Sequence, residues 1–283
     1  MQAAAFLDLL RAGGTIAADR VAVVVAHPDD ETIGAGGQLP RLSGVRVLHL
    51  TTGAPADMGD ARANGFATPA AYGTQRRAEL LAAMGFAGIP PDALVSFDAT
   101  DQQSARYLVS LACRLAEFLA ERRIAIVLTH PYEGGHPDHD ATAFVVQAAA
   151  GLFARAGQEA PGIVEMAFYH AGPKGQENQC FPADGGEGEI VIALDEAALR
   201  LKQRMLAAYV TQRQVVFEFS SPIERFRPAP AYDFTVLPNG GRLNYEGFDW
   251  GMNGADWRSL AARALRALGL PARPLHSEER EPG

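Results

Sequence analysis

Two short segments of the sequence concentrate imidazole and carboxylate side chains. The first is His27-Pro28-Asp29-Asp30-Glu31, and the second, from position 130 to 142, reads HPYEGGHPDHDAT. Four of the seven histidines of the chain lie in these two segments. A catalytic zinc ion typically takes three protein ligands from His and Asp or Glu and leaves one position for water. The residue types therefore indicate a metal site that is assembled from both segments.

Each polar segment directly follows an apolar run. A valine-rich run begins at Val21 and ends at the first segment, and Ile124–Thr129 (IAIVLT) precedes the second. Short apolar runs bounded by turn residues are typical of buried parallel strands. Because open α/β sheets bind ligands beyond the carboxyl ends of their strands, we expect both segments to lie at that edge.

The rest of the chain alternates predicted strands with predicted helices. Further strands are predicted at Val45–Thr52, Ala93–Phe97, Gly162–His170 and Glu189–Leu194. Helices are predicted at Thr32–Leu39, Thr74–Gly85, Gln103–Arg123, Thr142–Ala154, Ala197–Tyr209 and Trp257–Leu268. This alternation predicts a three-layer α/β sandwich with a mostly parallel sheet.

The segments between these elements are predicted to be irregular. Loops at 54–73 and 173–188 are expected to frame the pocket, and 217–240, broken by four prolines, is expected to hold loops and short edge strands. We expect one domain over residues 1–268 and a flexible tail at 269–283.

Composition narrows the class of protein. The chain has 283 residues, of which 48% are hydrophobic and 20% charged, as in ordinary globular proteins. A formal net charge of −8 without a basic block argues against a nucleic-acid surface. No apolar stretch approaches the roughly 20 residues that cross a bilayer. Two cysteines cannot form a disulfide framework, so a cytoplasmic location is expected.

The two polar segments are also specific as motifs. AHPDDE at Ala26–Glu31, paired with GHPDH at Gly135–His139, resembles the PIG-L/LmbE-like family of metal-dependent N-deacetylases. Weaker matches are LTTG at Leu50–Gly53, Arg76 with Glu79, and the set Lys202, Tyr209 and Gln212. The resemblance implies a Rossmann-like fold with a divalent ion, usually zinc, at the carboxyl ends of its strands. It also implies removal of acetyl groups from N-acetylated amino sugars or their glycoconjugates.

The resemblance assigns a role to each motif residue. It makes His27, Asp30 and His139 the metal ligands, Asp29 the general base, His136 the oxyanion-stabilising residue or acid, and Asp138 the carboxylate that orients His136. Arg76, His130 and Tyr132 are expected substrate contacts. These roles are chemically consistent, because zinc polarises carbonyls and lowers the pKa of water, and a neighbouring carboxylate can take the proton.

Several of these residues have a structural alternative. Asp29 or Asp30 could cap the following helix, and His130 could form a structural hydrogen bond. Arg76 could pair with Glu79 instead of contacting substrate. Glu31 is expected to stabilise the loop, His49 to lie in the core, and Lys202 and Tyr209 to pack.

One position departs from the family pattern. Some members carry a tyrosine two residues before the first histidine of the second motif, where this chain has Gly134. Tyr132 or another aromatic residue is the candidate to supply that hydroxyl group.

The leading hypothesis is therefore a zinc-dependent hydrolase that cleaves an amide bond in a small N-acylated sugar. The alternatives are a conjugate amidase that uses the same site and a catalytically silent metal- or carbohydrate-binding protein. A nucleotide-binding Rossmann protein is disfavoured, because AHPDDETIGAGG places acidic residues where a phosphate-binding turn needs glycines and backbone amides. Homo-oligomerisation is compatible with the sequence.

Overall fold

The computed structural model describes residues 2–182 and 187–272. Its strands are β1 (Ile16–Ala17), β2 (Val21–Val25), β3 (Leu42–Ser43), β4 (Arg46–Pro55), β5 (Leu94–Asp101), β6 (Ile126–Thr129), β7 (Gly162–Met166), β8 (Tyr169–Gly172), β9 (Gly175–Asn178), β10 (Ile190–Ala193) and β11 (Ile223–Pro228). Its α-helices are α1 (Ala3–Ala12), α2 (Asp30–Ala35), α3 (Gly59–Ala63), α4 (Pro69–Phe86), α5 (Leu108–Glu121), α6 (Pro137–Arg155), α7 (Glu196–Ala208), α8 (Arg213–Val216) and α9 (Gly254–Leu268).

A seven-stranded sheet, counted over the described residues, has the order β10-β11-β7-β6-β2-β4-β5. The strands from β7 to β5 run parallel; β11 joins antiparallel to β7, and β10 antiparallel to β11. From β2 the chain moves to β4 and β5 on one side, and it later adds β6 and β7 on the other. β2 and β6 are thus neighbours where the strand order reverses, which is where open α/β sheets bind ligands.

Helices cover both faces of the sheet. Val21, Val23 and Val25 of β2 belong to one buried cluster with residues of α1, α4 and α7. Ala22 and Val24 belong to a second cluster with residues of α5, α6 and α9. Because successive side chains of a strand point to opposite faces, these clusters lie on the two sides of the sheet. The predicted three-layer α/β sandwich with a mostly parallel sheet is confirmed.

The prediction of a loop over residues 54–73 is wrong in part. β4 continues to Pro55, α3 lies inside the segment, and α4 begins at Pro69 instead of position 74. The Thr68 side chain caps α4 by accepting a hydrogen bond from the Ala71 N–H at 3.1 Å. A threonine cap followed by proline at the first helical position is a common helix start, and it explains the earlier boundary.

The predicted strand at 162–170 is in fact two strands. β7 ends at Met166 within the main sheet, and β8 pairs with β9 in a separate antiparallel hairpin. β9 lies inside the segment 173–188, so the prediction of a loop there is also wrong in part. Residues 183–186 of that segment lie outside the described residues.

The segment 217–240 contains an internal strand and not only edge strands. β11 lies between β10 and β7, and its last residue is Pro228. Arg227 is 2% exposed and donates a hydrogen bond from Nε to Glu165 of β7 at 2.7 Å. The sequence does not indicate an internal strand here, because the stretch IERFRP contains charged residues that are usually exposed. Their ion pairs, which allow burial, form only after the strands associate.

The single domain over residues 1–268 stays a prediction. Gly269 ends α9 in the left-handed conformation, and residues 273–283 of the predicted tail lie outside the described residues. Within the described ranges, none of the helices combines the length and apolar character that a membrane span requires.

Candidate active site

The two polar segments meet because their strands are neighbours. β2 and β6 are hydrogen-bonded in parallel, so His27 and its neighbours follow one strand while His130 and its neighbours follow the adjacent one. Both segments therefore leave the sheet at the same edge, as expected from the sequence.

Asp29 adopts an unusual backbone conformation at the start of α2. Its φ is 127°, a region that non-glycine residues rarely occupy and that costs about 1–3 kcal/mol. Its side chain makes no capping hydrogen bond and instead accepts one from Arg76 Nη2 at 3.0 Å. Burial raises the pKa of Asp29 well above its ordinary value, although Arg76 opposes the shift. Helix capping therefore does not explain this carboxylate, which lines the pocket.

Asp30 contacts both imidazoles with which it is predicted to bind metal. Its Oδ2 accepts the His27 N–H at 2.7 Å and lies 3.2 Å from His27 Nδ1. Its Oδ1 lies 3.3 Å from His139 Nε2. This carboxylate thus closes the turn after β2 and faces the second segment at the same time.

The second segment starts a helix earlier than the sequence predicts. His136 is the N-cap residue of α6, and its Nδ1 accepts the Asp138 N–H at 3.1 Å. Because Nδ1 accepts that hydrogen bond, a neutral His136 carries its proton on Nε2. Burial lowers the pKa of His136 well below its usual value. The predicted helix start at Thr142 is therefore wrong, and His139 lies on the first turn of α6.

The clustered side chains fit a divalent cation. Three overlapping groups bring ligand atoms within 4.8 Å of one another: His27, His136 and His139; Asp30, His130 and His139; and His27, Asp101 and Asp138. The predicted ligands His27, Asp30 and His139 are drawn from the first two groups. Imidazole nitrogens and carboxylate oxygens are donors that zinc prefers. Among the described residues, buried His139 Nδ1 has no hydrogen-bond partner, so this nitrogen could bind a cation.

Asp101 is a site residue that the sequence reasoning missed. Its Oδ1 lies 3.0 Å from His27 Nε2, and it lines the pocket. Burial alone would lower the pKa of His27, but nearby carboxylates, Asp101 first, raise it well above the usual value. The predicted strand ended at Phe97, whereas β5 continues to Asp101. An aspartate at the end of a parallel strand was the available signal.

Asp138 contacts different partners from those the resemblance implies. Its Oδ2 accepts the Gln102 N–H at 2.6 Å and lies 3.3 Å from His27 Nε2, and its Oδ1 accepts the Ser104 N–H at 3.0 Å. Only the backbone N–H of Asp138 contacts the His136 ring. Backbone N–H groups that follow β5 hold the Asp138 carboxylate near His27. The expected pair between this carboxylate and the His136 ring is not formed.

Arg76 is buried next to Asp29 and donates a hydrogen bond to its carboxylate. It is 3% exposed and donates hydrogen bonds to the carbonyl groups of Gly53 and Pro28 as well as to Asp29. The alternative partner, Glu79, instead accepts hydrogen bonds from the backbone and hydroxyl of Thr211 at 3.1 and 2.7 Å. Arg76 is therefore placed as a positioning residue at the pocket wall.

Contrary to the expectation, His130 and Tyr132 are not among the residues that line the cavity. His130 is fully buried, accepts the Ala26 N–H at 3.0 Å, and stacks on His139 at a centroid distance of 4.0 Å. The Tyr132 hydroxyl donates to the Val236 carbonyl at 3.0 Å and accepts from Trp257 Nε1 at 2.6 Å. These hydrogen bonds within the protein favour a structural role for Tyr132, whereas His130 Nε2 also lies 3.3 Å from Asp30 Oδ2. Substrate contact by either residue stays a prediction.

The backbone at Gly134 disfavours the tyrosine that some members of the PIG-L/LmbE-like family carry at this position. Its φ is 75°, and a Cβ atom there would lie 2.8 Å from the Leu243 side chain. The pocket instead contains Tyr169, whose ring lies 5.3 Å from that of His139. Burial raises the pKa of Tyr169 well above its usual value, so its hydroxyl keeps the proton.

Glu31, the last residue of the first motif, is the centre of a buried hydrogen-bond network. Glu31 is fully buried and accepts hydrogen bonds from the Asp29 N–H at 3.1 Å, from the Thr32 hydroxyl at 2.6 Å and from Tyr209; His49 Nε2 lies 2.9 Å away. Glu31 therefore holds the loop that carries Asp29, as expected from the sequence.

The site opens into a cavity of about 790 Å³. Its base is polar, whereas its rim carries aromatic and aliphatic side chains. Phe248 and Trp250 stack with ring centroids 4.3 Å apart, and Trp250 also lies 4.5 Å from the His136 ring. Val210 and Val215 are more than half exposed on this rim.

Residues 22–150 match the family model of PIG-L, described as GlcNAc-PI de-N-acetylase. The resemblance to the PIG-L/LmbE-like family is therefore confirmed over this range, which carries both motifs. The expected class of enzyme, a deacetylase that hydrolyses an amide, is confirmed with it. Among curated proteins no sequence matches the chain.

Solved structures share the fold. The chain is similar to an A40926 pseudoaglycone deacetylase, with 19% identity, 75% of this chain and 97% of that one covered, and a TM-score of 0.57. For a zinc-inhibited form of teicoplanin deacetylase, identity is 16%, the covered shares are 75% and 98%, and the TM-score is 0.55. For N,N'-diacetylchitobiose deacetylase from Pyrococcus horikoshii, these values are 18%, 72% and 76%, and 0.50.

Proposed function

We propose that this protein is a zinc-dependent N-deacetylase that acts in the cytoplasm on an N-acetylated amino sugar or its glycoconjugate. The observation that carries the proposal is the position of Asp30 between His27 and His139, with Asp29 beside it in a pocket. The family description names GlcNAc-PI, and one structural relative is named for N,N'-diacetylchitobiose. Both names contain an N-acetylated amino sugar, which is the substrate class we propose here.

The proposed ligands are His27, Asp30 and His139. A zinc ion bound there would polarise the amide carbonyl and lower the pKa of water. Asp30 lies 3.2 Å from His27 Nδ1 and 3.3 Å from His139 Nε2, which supports the three groups sharing an ion. Asp101 and Asp138 flank His27 Nε2, at 3.0 and 3.3 Å, and orient its ring.

Asp29 is the proposed general base. It takes a proton from water as the water oxygen bonds to the acetyl carbonyl carbon, and it returns that proton to the amine nitrogen as the C–N bond breaks. Acetate and the free amino sugar are the products. Arg76 fixes the carboxylate, while burial favours its protonated form, so the group can both accept and release a proton.

His136 and Tyr169 are the proposed hydrogen-bond donors to the oxyanion. The hydrogen bond at Nδ1 leaves the Nε2–H of His136 available, and Tyr169 lines the same cavity. Hydrogen-bond donors that are fixed before the reaction stabilise developing negative charge, and loss of one typically costs about 10²–10³ in kcat. Tyr169 would thus supply the hydroxyl group that Gly134 cannot.

The rim supports a substrate with an apolar group beyond the sugar. Phe248 is 50% exposed and Val215 is 52% exposed, although both adjoin a polar site. Exposed apolar side chains around a polar pocket are typical of ligand contacts. An alkyl or aryl group attached to the sugar would cover them.

The test is acetate release from N-acetylglucosamine, N,N'-diacetylchitobiose and N-acetylglucosaminides with alkyl or aryl aglycones. We expect release to stop when zinc is stripped with a chelator, to return when zinc is added, and to be faster with an apolar aglycone. Release that is insensitive to metal stripping would contradict the metal role. Release of another acyl group but no acetate would overturn the proposed substrate and favour a conjugate amidase.

A further inference from the structure

A second cluster of potential metal ligands lies on the β8–β9 hairpin. His170 of β8 and Glu177 of β9 are directly opposite each other in the antiparallel register. Their side chains therefore lie on the same face of the hairpin, with His170 Nε2 3.5 Å from the Glu177 carboxylate. A Cβ atom on Gly172 would clash with the Glu177 carboxyl group, so glycine leaves the space that this side chain occupies.

Cys180 joins these two residues because the chain turns back after β9. Gln179 has a φ of 53°, and its N–H donates a hydrogen bond to the carbonyl group of Phe168, which precedes β8 at the same open end of the hairpin. The ligand atoms of His170, Glu177 and Cys180 all lie within 4.8 Å of one another. Imidazole, carboxylate and thiolate form a donor set that is typical of zinc.

A buried carboxylate, that of Glu133, lies next to the His170 ring. Glu133 is fully buried, and its Oε2 lies 3.4 Å from His170 Nδ1. Among the described residues, neither of these two atoms has another hydrogen-bond partner. In zinc sites, the ring nitrogen that does not bind the metal commonly donates to a carboxylate, which fixes the ring and raises its basicity. Glu133 occupies the position of that carboxylate next to Nδ1. His170 Nε2, on the other side of the ring, faces Glu177.

We propose that His170, Glu177 and Cys180 bind a second divalent cation of the zinc class, with Glu133 orienting His170. The three side chains leave a fourth position for water. The cluster shares no ligand with the site at β2 and β6. It also lies on a hairpin whose residues Tyr169 and Gln176 line the cavity, so the ion would fix part of the pocket wall.

The competing explanation is an ion pair without metal. A protonated His170 could bridge Glu133 and Glu177, and Cys180 would then have no part in the cluster. Ligation by the Cys180 sulfur therefore separates the two explanations.

The test uses cobalt as a probe in the full chain. Thiolate-bound Co²⁺ gives a charge-transfer band in the near ultraviolet, and the site at β2 and β6 contains no cysteine. We expect the metal-stripped protein to bind two equivalents of Co²⁺ and to show this band. Cys180→Ser should abolish the band and one equivalent. The matched control Cys113→Ser, at an exposed cysteine of α5, should keep both.

A second variant tests the role of Glu133. Glu133→Gln should weaken Co²⁺ binding at the cysteine-containing site about 10- to 100-fold while the band still forms at saturation. Absence of the band in the wild-type protein, or its persistence in Cys180→Ser, would overturn the second site. Unchanged affinity in Glu133→Gln would overturn the orienting role. Because the band does not depend on deacetylation, these results stand apart from the proposed function.

Discussion

At the scale of single residues, the chemistry of the site depends on a strained aspartate held by buried partners. Asp29 has a φ of 127°, and Glu31 and Arg76 bind its N–H and its carboxylate. The sequence identified Asp29 and Asp30 because a histidine and two acids follow an apolar run. It could not show which acid faces water and which closes the turn, because that depends on backbone angles set by distant partners.

A buried ion pair also contacts α2, the helix that begins at Asp30. Lys202 and Glu224 are both 0% exposed in their side chains, with Nζ and Oε1 2.8 Å apart, and Lys202 also donates to the Ile33 carbonyl. The sequence favoured simple packing for Lys202, because helix periodicity gives no information about a carboxylate 22 residues away.

Lys202→Met should lower the free energy of unfolding by about 3–5 kcal/mol, because Glu224 would remain buried without its cation. Urea unfolding followed by circular dichroism measures this change. The matched control is Arg200→Met, two residues away, whose pair with Glu196 is exposed and should contribute at most about 1 kcal/mol. Similar losses in the two variants would show that the buried pair has no special role.

At the scale of elements, the sequence predicted the strands that carry the motifs and missed the strand that completes the site. β2 and β6 were recognisable as short apolar runs, and their pairing brings the two motifs together. β5 was predicted to end before Asp101, because polar residues in its second half hide a strand that continues beside β4. Pairing between strands, and not local pattern, fixes such a boundary.

One contact between elements holds the pocket rim. The segment after α7 carries Thr211, which donates hydrogen bonds to Glu79 of α4 from its backbone and its hydroxyl group. Val210 and Val215, on the rim, flank this contact in the sequence.

Thr211→Val should raise KM several-fold with little change in kcat, because it removes the hydroxyl hydrogen bond that orders the rim and leaves the catalytic residues in place. A loss of about 1 kcal/mol from such a contact corresponds to a factor of about five. Steady-state kinetics on the best acetylated substrate measures the split. Thr74→Val, on the exposed face of α4, is the matched control and should leave both constants unchanged. A fall in kcat alone would contradict this role for Thr211.

At the scale of the whole molecule, the sheet encloses charged residues as well as apolar ones. Glu165 of β7 is 1% exposed and faces Arg227 of β11. Burial raises the pKa of Glu165 to about 7, although Arg227 opposes the shift. The three-layer architecture could be predicted from alternating strands and helices, but the internal position of β11 could not, because its charged residues are typical of an exposed edge.

The buried pair of Glu165 and Arg227 predicts how the free energy of unfolding depends on pH. The folded protein holds a proton on Glu165 up to a higher pH than the unfolded chain does, so the contribution of this residue falls as pH rises from about 4.5 to about 7. The difference in unfolding free energy between wild type and Glu165→Gln should therefore decline by about 3 kcal/mol across that range. Denaturant unfolding at a series of pH values measures it. A difference that instead grows with pH would show that Arg227 stabilises the ionised form.

The most direct test of the proposed function compares metal content with turnover in Asp29→Asn. This variant should bind as much zinc as the wild type, because Asp29 is the base and not a ligand, and its acetate release should fall about 10²–10⁴-fold. His139→Ala, the companion variant, should lose one equivalent of zinc together with activity. If Asp29→Asn retained near-normal acetate release, or lost zinc as His139→Ala does, the assignment of Asp29 as the general base beside a metal site would be wrong.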